Sequence, residues 1–156
     1  MMFGRGRGKK KAPATPSDVV QEALTWLGTP YHHAARLKGI GADCGQFPTA
    51  VFQACGLVPD FEIEPYNQDW HMHNNDERYL GYVEQFFDKV DTPQPADLAL
   101  FKYGRCISHG SIVIEWPRII HAYVTAGKVV IDDGAVNADL APRFKGFWRL
   151  KQWTLE

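Results

Sequence analysis

Cys44 stands in the stretch GIGADCGQF, directly behind an acid, where an apolar helical pattern is about to begin. A thiol at a helix start faces unpaired backbone N–H groups and the positive end of the helix dipole. Both favour the thiolate, the nucleophilic form. Asp43 is placed to cap that helix, and Gly45 leaves room beside the sulfur for a substrate backbone. A buried structural cysteine is the plain alternative. A cysteine nucleophile needs a base, and the base needs an orienting group. Of the six histidines, His109 and His121 fall in the β-like runs HGSIVIE and RIIHAY. A symmetric hairpin turning at Glu115–Trp116–Pro117 pairs His109 directly with His121 on one sheet face. One ring would then hold the tautomer of the other, whose free nitrogen addresses Cys44.

The elements that must carry these residues follow from periodicity. Asp18 reads as an N-cap with Gln21 three residues on, and Val20, Ala23, Leu24 and Leu27 share one helical face that Gly28 and Pro30 end. TPYHHAARLKGIGA reads as a loop. Phe47, Ala50, Val51 and Ala54 repeat the helical spacing from a start near Asp43 and Cys44 to a stop at Gly56. Residues 57–74 read as a long ordered loop. A third helix is expected near 76–89, with Tyr79, Tyr82, Val83 and Phe86 on one side. After Pro93 and Pro95, DLALFK, HGSIVIE, RIIHAY, KVVIDD and GFWRL are short β-rich runs between turn signals. Helices first and an antiparallel sheet second predict an α+β fold, with the helices packed on one face of five to six strands.

Composition bounds the rest. The chain has 156 residues, enough for one domain with a sizeable core, and 45% of them are hydrophobic. Net charge is only −1, yet residues 1–11 hold Arg5, Arg7, Lys9, Lys10 and Lys11 and no acid. Residues 1–16 therefore read as a flexible basic arm, and 17–156 as a single acidic domain. An acidic domain argues against nucleic acid as its partner. No apolar run follows the basic residues as in an export signal, and none is long enough for a membrane span. Cys44, Cys55 and Cys106 are odd in number and widely spaced, against a disulfide framework. His71 and His73 in WHMH match no standard metal spacing, so no metal or other cofactor is expected. They read instead as groups ordering the long loop or lining the rim of the site.

These residues resemble the NlpC-type cell-wall cysteine peptidases, a papain-like family. GTPYHH resembles the family's Gly-x-Pro-Tyr loop, and ADCGQF its Asp-Cys-Ser-Gly-Phe nucleophile segment. PADLALF, HGSIVI and IIHA resemble its Pro-Gly-Asp-Leu, His-Val-Gly-Ile-Tyr and Ile-His-Ala strands. Each motif alone is weak, but five occur in order between residue 18 and about residue 123. Gly45-Gln46 replaces Ser-Gly, Ala96 replaces the glycine before Asp97, and the Gly-Gly after the loop tyrosine is absent.

The resemblance implies a papain-like NlpC-type fold with Cys44 as nucleophile, His109 as general base and His121 as its orienting partner. Tyr31 and the Cys44 N–H would bind the oxyanion, with Asp43, Gly45 and Gln46 near the substrate. Arg36, Trp70, His71 and His73 are rim candidates. The implied reaction cuts the amide between D-glutamyl and diamino-acid residues of peptidoglycan stem peptides. The sequence is more similar to a phage tail-associated type than to secreted enzymes. That implies a virion tail component, made in the host cytoplasm, held to other tail-tip proteins and acting on the cell wall. The alternatives are a structural tail-tip protein with an inactive site, and another acyl-transfer or amidase activity.

Overall fold

A computed structural model describes residues 12–155; most of the basic arm, residues 1–11, lies outside them. The first helix, α1 (Pro16–Leu24), starts earlier than the sequence suggests. Thr15, not Asp18, is its N-cap. Asp18 sits at the third helical position and closes a capping box, accepting from the Thr15 N–H at 2.8 Å while its own N–H donates to Thr15 Oγ1. Pro16 occupies the first turn, where its missing N–H is harmless. The helix tightens into i→i−3 bonds that run on to Leu27.

The expected loop that follows contains two short paired strands, β1 (Arg36–Leu37) and β2 (Gly41–Ala42). Helix α2 (Gln46–Ala54) buries Phe47, Val51 and Phe52 against α1 and the sheet. Trp26 packs edge-on to Phe47, with ring centroids 5.7 Å apart. Helix α3 (Arg78–Phe86) buries Val83 and runs straight into strand β3 (Phe87–Val90).

Strands β4 (Leu98–Tyr103), β5 (Cys106–Glu115), β6 (Arg118–Tyr123), β7 (Lys128–Asp133) and β8 (Phe144–Leu150) complete an antiparallel sheet in the order β3-β8-β4-β5-β6-β7. The α+β expectation therefore holds, with six strands. A short helix, α4 (Lys151–Thr154), follows the last strand. The three larger helices cover one face, where Leu98, Leu100, Ile112, Ile120 and Trp148 join the main core. On the second face Ala99, Phe101, Val113, Ile119 and Phe147 meet Leu140 from the β7–β8 connection.

Ala96, where the resemblance led to a glycine, sits at φ 72°, a left-handed conformation that glycine adopts without strain. The turn persists because it is tied on both sides. Asp97, fully buried, takes a two-pronged bond from Arg149 on β8 and the Gln94 N–H, while its backbone carbonyl accepts from Val113 on β5.

Candidate active site

Cys44 sits in the turn that leads into α2, two residues before its first residue. The Phe47 N–H donates to the Asp43 carbonyl, and Asp43 Oδ1 accepts from the N–H groups of Gly45 (3.1 Å) and Gln46 (2.8 Å). Asp43 thus caps the helix, as its position suggests, and the consequence for the sulfur differs from the sequence reading. The N–H groups that would favour a thiolate are taken by the carboxylate, and the carboxylate itself lies beside the thiol. Burial first, and then the Asp43 charge, push Cys44 up to about 12, opposed by a hydrogen bond with Tyr31. The thiol is half-buried and donates to the Ser108 carbonyl at 3.3 Å.

Asp43 does further work inside the protein. Its Oδ2 accepts from the Ala34 N–H at 2.7 Å and from the Tyr66 hydroxyl, while His33 Nε2 meets the Tyr66 carbonyl at 2.9 Å. The long 57–74 segment is therefore strapped to the residue next to the nucleophile. Tyr79 anchors the other side, donating to the Cys44 carbonyl at 3.0 Å. A Cβ at Gly110 would collide with that hydroxyl, so β5 needs glycine there. Gly45 is less tightly confined, since an added Cβ would lie 3.3 Å from the Tyr79 ring, a crowded contact rather than a collision. Tyr31 is held by its N–H to Gly127 (2.8 Å), and its neighbour Pro30 accepts from Ala42. Burial, and then Cys44 and Asp43, raise its phenol further.

The two sheet histidines meet, His109 Nε2 to His121 Nδ1 at 2.8 Å. The register differs from the symmetric hairpin. Ile112 pairs with Ile120 and Val113 with Ile119, two residues beyond the expected partners, and the ladder shifts between Val113 and Glu115. His109 and His121 are consequently diagonal neighbours. A slip of two keeps every side chain on its face, whereas a slip of one would have separated the rings.

Behind His121, Asp132 Oδ2 lies 3.1 Å from Nε2 and also accepts from Asn137 Nδ2 at 2.8 Å. A carboxylate only accepts, so the network assigns the proton of His121 to Nε2. Its Nδ1 then accepts from His109 Nε2–H, which leaves His109 Nδ1 with a free lone pair. Burial, and then the neighbouring histidine, hold His109 well below its usual value. Burial also lowers His121, partly offset by Asp132.

A cleft of about 320 Å³ is lined by Cys44 and His109 together with Tyr31, Asp43, Gly45, Trp70 and His71. His121 is fully buried behind His109. Arg36, Gln46 and His73, read from the sequence as substrate contacts, lie outside this lining. Arg36 is a brace, reaching Gln46 Oε1 (2.5 Å), Gln53 Oε1 (2.9 Å) and the Phe61 carbonyl (3.1 Å). His73 is exposed beside Asp69. Sequence reasoning missed Tyr66, Tyr79, Asp132 and Asn137. Only the β-run KVVIDD hinted at one of them, since its acids share strand β7 with the residues facing β6.

No protein-family model matches the sequence, and no curated protein matches it. Solved structures do. The NlpC/p60 domain of the peptidoglycan hydrolase SagA is 18% identical at a TM-score of 0.60, covering 87% of this chain and 98% of that domain. An NlpC/P60 family protein from Bacillus cereus is 20% identical at a TM-score of 0.65. The match covers 89% of this chain but only 41% of that protein, so the chain spans less than half its length. RipD from Mycobacterium tuberculosis, described as a non-catalytic NlpC/p60 domain protein adapted to peptidoglycan binding, is 12% identical at a TM-score of 0.56, with 90% and 98% covered. At such identities the likeness is one of architecture: the chain has the NlpC/p60 fold.

Proposed function

We propose that the protein is a cysteine endopeptidase that cuts the amide between D-glutamyl and diamino-acid residues of peptidoglycan stem peptides. The observation that carries this reading is the hydrogen-bonded series Asp132–His121–His109, which ends at a histidine lining the cleft that also holds Cys44. The peptidoglycan-hydrolase neighbour supports the substrate class. RipD is described as non-catalytic, so the fold alone does not carry activity and the residues must.

In this mechanism His109 Nδ1 takes the Cys44 proton as the sulfur attacks the amide carbonyl. The C–S bond forms, and the carbonyl electron pair moves onto oxygen, stabilised by the Tyr31 hydroxyl and the Cys44 N–H. Collapse breaks the C–N bond, and the His109 proton passes to the leaving amine. Water, deprotonated by His109, then attacks the thioester, releasing the carboxylate product and the Cys44 thiol. Asp132 keeps its charge throughout and stabilises the imidazolium through His121. With burial pushing the Cys44 thiol up and holding the His109 imidazole down, this route has proton transfer accompany attack rather than precede it.

We also read the protein as a bacteriophage tail component that acts on the host wall, bound to other tail-tip proteins through the basic arm. The support is the resemblance of GTPYHH, DCGQFP, WHMH and the strand run to that type.

The test incubates the protein and a Cys44→Ala variant with defined stem peptides and reads the products by mass spectrometry. Cleavage after the D-glutamyl residue by the parent alone is expected. A second reading, a non-hydrolytic wall-binding or structural tail protein, draws on the protonated resting thiol. Absence of cleavage together with a Cys44 inert to alkylation would establish it. A reactive Cys44 without cleavage would redirect the search to other acyl substrates.

A further inference from the structure

Beyond His109 the cleft wall carries Asp139, whose ion pair with Arg143 the reaction chemistry does not use. Tyr103 and Tyr123 flank the His109 ring, with centroids 5.9 and 6.0 Å away, and both hydroxyls donate to Asp139 Oδ2 (2.7 and 2.6 Å). Arg143 Nη1 reaches Asp139 Oδ1 at 3.1 Å, and its guanidinium lies 4.6 Å from the Tyr103 ring centre. Asp139, Tyr103 and Tyr123 line the same cleft as Cys44, and Arg143 stands outside that lining, joined to it through Asp139. The pair is open to solvent, with side chains 39% (Asp139) and 40% (Arg143) exposed. Among the described residues, Arg143 Nε and Nη2 have no hydrogen-bond partner.

Direction decides what this pair meets. The imidazolium of His109 protonates the leaving amine, so the residue carrying that amine must lie on the His109 side of Cys44. In the proposed substrate that residue is a diamino acid. Its side chain ends in an ammonium alone when it is lysine, and in an ammonium and a carboxylate on one carbon when it is diaminopimelate. An aspartate and an arginine held side by side complement the second ending, one charge each, and the planar guanidinium presents free N–H donors to a carboxylate. The two tyrosine bonds keep the Asp139 carboxylate fixed, so it is pre-organised for the ammonium.

We propose that Asp139 and Arg143 form the subsite for the zwitterionic side-chain end of the leaving residue, and that they select diaminopimelate over lysine. The inference rests on the endopeptidase reading and deepens it.

The experiment uses three stem peptides, alike except for the residue after D-glutamate. That residue is meso-diaminopimelate, diaminopimelate with its side-chain carboxyl amidated, or L-lysine. Cleavage is followed as kcat/KM on the full chain, and binding as Kd on Cys44→Ala. Free diaminopimelate is expected to be preferred about tenfold over both others, and Arg143→Gln to erase that preference. Asp139→Asn is expected to weaken all three peptides alike, since each keeps its ammonium. Equal handling of the three peptides by the parent overturns the subsite, as does a preference that survives Arg143→Gln. Should Arg143→Gln fail to fold, the parent's comparison of free and amidated diaminopimelate decides. If no stem peptide is bound or cut, the endopeptidase reading itself falls and takes the subsite with it. Cleavage without discrimination removes only the subsite.

Discussion

His109 and His121 meet through Nε2 and Nδ1 at 2.8 Å, as diagonal neighbours on β5 and β6. The pair has a direction. His121 also faces the Asp132 carboxylate, so the whole series donates toward Asp132 and leaves His109 Nδ1, on a residue lining the cleft, as its acceptor. A residue with no contact to the cleft thereby sets which nitrogen of His109 can act as a base.

Asp132→Asn tests that direction. An asparagine amide can donate to His121 Nε2, which would shift the His121 proton to Nδ1 and confront it with His109 Nε2–H. Relief requires His109 to carry its proton on Nδ1, where the base must be free. We expect kcat to fall by about 10² to 10⁴ with KM little changed and the melting temperature within a few degrees. Steady-state hydrolysis of a stem peptide reads this. An unaltered kcat would show that Asp132 serves packing alone.

Much of the fold was legible because burial imposes a period. RIIHAY and KVVIDD become β6 and β7 with the bounds read from the sequence, and the helical stripes of Val20–Leu24 and Phe47–Val51 pack where they should. FDKV was not legible, because β3 is a short edge strand with exposed Asp88 and Lys89 and no alternation to display. The histidine pairing came through despite a wrong register, since the ladder slips by an even number and preserves the face. The role of Asn137 was not legible, because it lies in the turn after β7 with no period to mark it, and those of Tyr66 and Tyr79 were not, because their partners are single atoms far along the chain. Arg36 misled for the same reason: a charged residue in a loop reads as exposed, and only the folded structure supplies the amides it braces.

Arg36 should behave as a brace. Its guanidinium joins β1 to α2 and to the start of the 57–74 segment through three acceptors. Arg36→Ala leaves Gln46 without that donor in a buried setting, at a cost of about 2 kcal/mol. Denaturant unfolding should show that loss. The kcat/KM of the folded fraction should stay within about twofold, because Arg36 itself does not line the cleft and only its bond to the Phe61 carbonyl touches a lining residue. A large rise in KM at unchanged stability would restore Arg36 to the substrate rim.

Stability should decline in mild acid. His109 and His121 are both held below the ordinary value of 6.5 inside the protein, chiefly by burial. As pH falls through that value the unfolded chain takes up protons that the native chain refuses, so unfolding becomes easier. The slope reaches about 1.4 kcal/mol per pH unit for each such histidine. Thermal melts at pH 7.5, 6.5 and 5.5 should show it, and His109→Gln should flatten the dependence by removing one of the three histidines held below 6.5, His71 being the third. Asp139, held below its ordinary 3.8, contributes only in stronger acid. Constant stability between pH 7.5 and 5.5 would mean that the histidines take up protons as readily in the native state as in the unfolded chain.

The resting thiol gives the sharpest test of the site's electrostatics. A preformed thiolate–imidazolium pair would alkylate at a rate nearly independent of pH from 6 to 9. A thiol pushed up to about 12 instead exposes thiolate in proportion to hydroxide, so the rate with iodoacetamide should climb about tenfold per unit across that range. Burial is the larger cause and the Asp43 charge the second, so Asp43→Asn should speed the reaction several-fold at pH 8. The amide oxygen can still accept from Gly45 and Gln46, which keeps the helix start in place. The same change removes the acceptor that Ala34 and the Tyr66 hydroxyl share, so it should also lower stability by about 1 to 3 kcal/mol. Faster alkylation in a less stable protein is the combination that Asp43 predicts. A flat pH profile in the parent, with slower alkylation in Asp43→Asn, would falsify the neutral resting pair and make the carboxylate a support of the ion pair instead.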